Sequence, residues 1–119
     1  MNHLSFIGLI SGFIFVVAGL VLRFFPPKKI NWYYGYRTAK SMRNHEIWRA
    51  GNRYAAQLLW QLGLVMMLIG AFTFPLGPSA FTGILAGIIL MLLLVGATYY
   101  FTEKHLKDHF DEQGRRRKQ

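Results

Sequence analysis

Three stretches of the chain, residues 4–22, 54–74 and 80–101, each run for roughly twenty residues without a single Asp, Glu, Lys or Arg. A helix rises about 1.5 Å per residue and the hydrocarbon core of a bilayer is about 30 Å thick, so each stretch is long enough to cross one. Backbone amides and carbonyls find no water in lipid, which restricts a spanning segment of this kind to a helix that satisfies them internally. The expected fold is an all-α integral membrane protein with three transmembrane helices, a single membrane domain over residues 1–119. Pro75-Leu76-Gly77-Pro78-Ser79 is a short run of helix breakers between the second and third stretches, so these two are expected to form an antiparallel hairpin.

The basic residues are distributed unevenly. Of 14 Lys and Arg, eight fall in residues 23–53 and six in residues 102–119, with none before Arg23 and none in the turn 75–79. Cationic flanks resist translocation, which places the N-terminus outside and both the 23–53 segment and the 102–119 tail in the cytoplasm. The net charge of +9 is therefore read as a topology signal and an affinity for anionic lipid headgroups, and nucleic acid is not an expected partner. No basic region precedes the first stretch and Ala18-Gly19-Leu20 continues into apolar sequence, so a retained helix is expected in place of a cleaved leader. The absence of cysteine excludes disulfides, thiolate metal sites and thiol nucleophiles.

Helices in lipid associate through small residues that let backbones approach. Gly8 with Gly12, Gly63 with Gly70, and Ser79 with Gly83 and Gly87 are the expected contact strips. Residues 102–113 are expected to extend the third helix to a break at Gly114, with Arg115, Arg116, Arg117 and Lys118 against anionic headgroups. His105 and His109 stand one helical turn apart, a spacing that suits a metal, but no third ligand is specified and no metal or cofactor is expected.

The segment Asn31-Trp32-Tyr33-Tyr34-Gly35-Tyr36-Arg37-Thr38 is too aromatic for an ordinary loop and is expected in the interfacial layer, with Gly35 allowing a turn. Arg37 offers a planar fork for a phosphate or carboxylate. Ser41 or Asn44 can cap the next helix, with Glu46 suited to its first turn. Glu46, Arg49, Arg53, Gln57 and Gln61 then recur at helical spacing as a polar stripe that should not face lipid. The Gln57 and Gln61 amides call for partners from another helix, a water-filled groove or a ligand. A catalytic reading has only Glu46 and His45 near the arginines, and adjacent helical positions diverge by about 100°, so a non-enzyme is expected.

The run Asn31, Tyr34-Gly35-Tyr36-Arg37-Thr38, Ser41-Met42, Asn44, Trp48 and Asn52-Arg53 resembles the SdpI/YfhL family of bacterial membrane immunity proteins. In that family an Asn precedes a Gly-x-Arg-Thr motif, followed by a Ser, a Trp and an Asn-Arg pair entering a transmembrane helix. The resemblance covers residues 27–61, and the three-span layout extends it; Ala39 stands where Pro commonly follows the Thr, and Gly51 where Ala commonly precedes the Asn. It implies a multi-pass protein of the bacterial inner membrane that protects against a secreted antimicrobial peptide, with a toxin peptide or a regulatory protein as partner. The expected binding residues are Asn31, Tyr34, Gly35, Tyr36, Arg37, Thr38, Trp48, Asn52, Arg53, Gln57 and Gln61. The alternative is a transporter of small molecules or lipids built as a homo-oligomer, with Arg53, Gln57 and Gln61 at the shared interface; an enzyme acting on lipid headgroups is the third class.

Overall fold

The computed structural model describes residues 2–117. It contains three helices, α1 (His3–Phe24), α2 (His45–Thr73) and α3 (Ala80–His109). All three are long and apolar enough to cross a membrane, in a bundle 51 Å long and about 25 Å across. The chain is a multi-pass membrane protein.

Local side chains start each helix. Asn2 caps α1 by accepting from Ser5 N at 2.7 Å, and its amide donates to Thr73 O at 2.7 Å, so the start of α1 is tied to the end of α2. Asn44 caps α2 by accepting from Ile47 N at 2.9 Å, and the helix then runs unbroken from the loop into the apolar stretch. Ser79 caps α3, accepting from Thr82 N. Its side chain is exposed there, so Ser79 is no part of a helix contact, and the strip on α3 reduces to Gly83 and Gly87.

α1 lies along α2 in the opposite direction with the two backbones in contact. A Cβ on Gly12 would sit 2.7 Å from the Gly63 carbonyl oxygen, and a Cβ on Gly63 would sit 2.7 Å from that of Gly12. Gly8 meets Gly70 in the same way further along. The buried Ser5 hydroxyl donates to Gly70 O at 2.7 Å. Because lipid offers little hydrophobic drive for helix association, this backbone approach and the interhelical hydrogen bond are what hold the pair.

Gly83 and Gly87 of α3 face α1. Gly83 lies against Leu4, and a Cβ on Gly87 would sit 2.8 Å from Ile7 Cγ2. Towards α2 the packing is looser, with a space of about 190 Å³ bordered by Leu62, Met66 and Ile69 on one side and Leu90 and Leu94 on the other. From Gly87 onward α1 and α3 part, which leaves a groove at the end of the bundle that carries residues 23–53.

The tail differs from expectation. α3 ends at His109 and does not reach Gln113. Phe110 turns out of the helix into extended backbone and is buried against Ile47 and Leu106. The chain then reverses at Gly114, and Arg117 N donates to His109 O at 2.7 Å. Asn44 Nδ2 donates to Gly114 O at 2.8 Å and Arg116 pairs with Glu46 at 2.8 Å, so the tail is braced over the start of α2. Arg115, Arg116 and Arg117 stay exposed; Lys118 lies outside the described residues. His105 stacks on Tyr54 and on His109, with ring centroids 4.2 Å apart in both cases.

Gly63→Ala and Gly96→Ala separate contact from helix propensity. Alanine gains about 1 kcal/mol of propensity over glycine, whereas overpacking typically costs about 1–3 kcal/mol. Gly96 has nothing within 4 Å of its hypothetical Cβ. Gly63→Ala is expected to lower the thermal midpoint in detergent and Gly96→Ala to hold or raise it; a matching response from both would refute the backbone contact.

Candidate functional site

The loop between α1 and α2 carries many backbone polar groups next to an apolar bundle, and buried side chains satisfy them. Trp48 is fully buried and donates from Nε1 to Pro27 O at 2.7 Å, which pins the loop as it leaves α1. Asn52, 2% exposed, accepts from Tyr36 N at 2.6 Å and donates to Trp48 O at 2.9 Å. Gly35 has φ +109°, and a Cβ there would lie 2.5 Å from Asn52 Oδ1, so both the turn and the closeness of Asn52 require glycine. Asn31 Oδ1 accepts from Tyr33 N at 3.0 Å and Tyr34 N at 2.6 Å, a side-chain-stabilised turn. The Tyr34 hydroxyl donates to Phe25 O at 2.6 Å, satisfying a carbonyl at the end of α1.

Thr38 and Ser41 lock the next turn reciprocally. Thr38 N donates to Ser41 Oγ at 2.8 Å, Ser41 N donates to Thr38 Oγ1 at 3.0 Å, and Ser41 Oγ donates to Tyr36 O at 3.0 Å. The Tyr36 ring reaches α3, its hydroxyl 3.4 Å from Tyr99 O. Burial, with the nearby Glu103 carboxylate adding to it, holds the Tyr36 phenol well above the usual tyrosine range.

This bracketed loop closes one end of the groove between α1 and α3. The groove is about 520 Å³, walled by Phe15, Ala18 and Leu22 of α1 and by Val95, Thr98 and Tyr99 of α3, floored by Ala55 and Leu59 of α2, and capped by residues 34–38. Its lining is mostly apolar, with Thr98 and Tyr99 as the polar members of the α3 wall and Arg37 exposed at the cap. Among the described residues Arg37 has no carboxylate partner; the ion pair there joins Arg116 to Glu46.

The sequence-predicted residues therefore divide into three groups. Asn31, Tyr34, Gly35, Tyr36, Thr38, Trp48 and Asn52 come together as the bracket, and Arg37 stands on it facing open space. Arg53 and Gln57 line a separate cleft of about 350 Å³ with Arg23, whose Nη1 donates to Gln57 Oε1 at 2.9 Å. Gln61, one turn further, is exposed on the outer face of α2, where the stripe was expected to avoid lipid. Sequence reasoning missed the walls of the groove, because Ala18, Leu22 and Val95 carry no signal that distinguishes them from lipid-facing residues. Pro27 as the acceptor for Trp48 was also missed.

The chain matches the profile of the SdpI/YfhL protein family over residues 28–101. An uncharacterised Bacillus subtilis (strain 168) protein, YfhL, is 39% identical over 110 residues, which span 90% of this chain and 92% of that protein. No solved structure matches the chain significantly.

The matched region contains the whole bracket, whose centre is Asn52. Asn52→Leu leaves Tyr36 N without its acceptor, and an unsatisfied buried polar group costs about 1–3 kcal/mol. The expected outcome is faster proteolysis within residues 26–44 at nearly unchanged helix content by circular dichroism. A loop as resistant as in the parent protein would show that Asn52 does not hold it.

Proposed function

The chain belongs to the SdpI/YfhL family, and from that premise we propose that it is a non-enzymatic binding protein of immunity type in the bacterial inner membrane. It engages a secreted antimicrobial peptide, a partner protein or the lipid around them at the Tyr34–Thr38 segment and the groove this segment closes. The observation that carries the reading is Arg37, without a carboxylate partner among the described residues, on a bracket held by Trp48 and Asn52 at the end of a largely apolar groove. A loop tied down by this many buried contacts has little freedom to reorganise, so the guanidinium is presented and not folded inward. Glu46, the acid a catalytic reading would use, is engaged by Arg116, which supports binding over chemistry.

The orientation follows from charge. The N-terminus lies outside, α2 and α3 form an antiparallel hairpin, and residues 23–53 and the tail lie in the cytoplasm, since every basic flank falls on those two segments. The exposed Gln61 amide in an apolar helix favours a second reading, a homo-oligomer that covers it and forms a transport path at the shared face.

Single cysteines at positions 40 and 77, treated with a membrane-impermeant reagent on intact cells, test the orientation. Position 77 is expected to label and position 40 to stay protected; the inverse pattern would overturn it. For the site, Arg37→Lys is expected to lose protection against the cognate peptide nearly as fully as Arg37→Ala, because Lys keeps the charge and loses the planar fork. Full protection by Arg37→Lys would reduce Arg37 to one cation among many.

A further inference from the structure

We propose that the groove between α1 and α3 is the seat of one acyl chain of an anionic phospholipid whose phosphodiester is held at Arg37. The inference rests on the reading of the Arg37 segment as the binding element and names its ligand.

Size selects against a helical peptide in the groove itself. A helix about 10 Å across with a 5.4 Å pitch fills roughly 420 Å³ per turn, so a groove of about 520 Å³ takes little more than one turn. The volume falls within the roughly 300–1,000 Å³ range of small-ligand sites. A single hydrocarbon chain is narrow enough to lie along it between Ala18 and Val95, over Leu59. The walls suit such an occupant, Phe15, Ala18, Leu22 and Val95 being apolar and the Thr98 hydroxyl being spent on Leu94 O of its own helix.

The cap asks for an anion. Arg37 is exposed without a carboxylate partner among the described residues, and its fork matches two oxygens of a phosphodiester. Thr38 also lines the cap, its Oγ1 accepting from Ser41 N. Glu103, beside Tyr36, lies in a cleft whose two acids, Glu103 and Asp108, are outnumbered by Lys40, Lys104 and Lys107. Residues 23–53 carry eight Lys and Arg against the single acid Glu46, which disfavours a headgroup that brings its own cation. An acyl chain with a phosphate and a net negative head meets both halves of the site.

The test uses the full chain, purified in detergent, exposed to phosphatidylglycerol or phosphatidylcholine and read by native mass spectrometry. One retained phosphatidylglycerol is expected, preferred over phosphatidylcholine. Arg37→Ala should weaken retention about tenfold or more, the loss expected from one charge-assisted hydrogen bond. Ala18→Phe, which fills the groove, should weaken it by a similar factor. Val17→Phe places the same bulk on an exposed position of α1 that does not line the groove and should retain the lipid. Thermal midpoints establish that each variant folds; if Arg37→Ala does not, Ala18→Phe carries the comparison. Equal retention of both lipids, or retention unchanged in a folded Ala18→Phe, would overturn the proposal and mean surrounding lipid only. Peptide protection is scored separately in the same variants. Its loss with lipid retention unchanged sinks the lipid assignment alone, whereas protection unchanged in both Arg37→Ala and Ala18→Phe sinks the functional reading of the site.

Discussion

The backbones of Gly12 and Gly63 touch, each where the other would have to carry a side chain, and the shape of the bundle follows from that contact. Gly8 and Gly19 extend it, so α1 is flush against α2 along its length. No room remains between them for α3, which rests alongside and meets α1 closely at its own Gly83 and Gly87. Further on, Phe15 and Leu22 face Val95 and Tyr99, none of which permits close approach, and the helices separate. The groove thus lies past the two glycines, Gly83 and Gly87, at which α3 meets α1. Association in lipid depends on surface fit because hydrophobic drive is weak, so a change from small to large residues along one face is enough to open a cavity.

The groove would open directly onto the loop if nothing closed its end, and closing it places backbone polar groups beside apolar side chains. Such groups must be paired. Trp48, Asn52, Ser41 and Tyr34 each bond to a main-chain group of the loop or of the end of α1, so the polar residues of the motif are engaged in holding its backbone. The Arg37 side chain takes no part in this network, so most of the residues that read as a binding signature serve as its mount.

The membrane spans and the start of α2, for which Ser41 and Asn44 were the candidate caps, were legible in the sequence because their causes are local. An uncharged run is helical in lipid whatever packs on it, and Asn44 with Glu46 is a helix start that needs no tertiary partner. The motif was legible as well, but not its division into bracket and presented Arg37, since spacing does not say which of Asn52 and Arg53 points inward. Ser79 was misplaced because its hydroxyl serves as a cap, and glycine spacing alone could not say that Gly83 and Gly87 would meet α1. The end of α3 depends on Phe110 finding Ile47, a contact between distant parts of the chain that no window of sequence contains. Gln57 likewise takes its partner, Arg23, from another helix.

The cations divide by the same logic. Arg116 pairs with Glu46, but both side chains are about half exposed, and pairs of that kind contribute about 0–1 kcal/mol. Arg23 on Gln57 is an exposed contact too. Stability therefore rests on the glycine contacts and the buried hydrogen bonds of Ser5, Trp48 and Asn52 rather than on charge. What these surface contacts do is direct arginines: Arg23 towards α2 and Arg116 towards the start of the same helix, both away from the groove. Among the described residues no ion pair or hydrogen bond uses the Arg37 side chain, so binding at that position is more separable from folding than at Asn52 or Trp48, whose buried hydrogen bonds hold the loop.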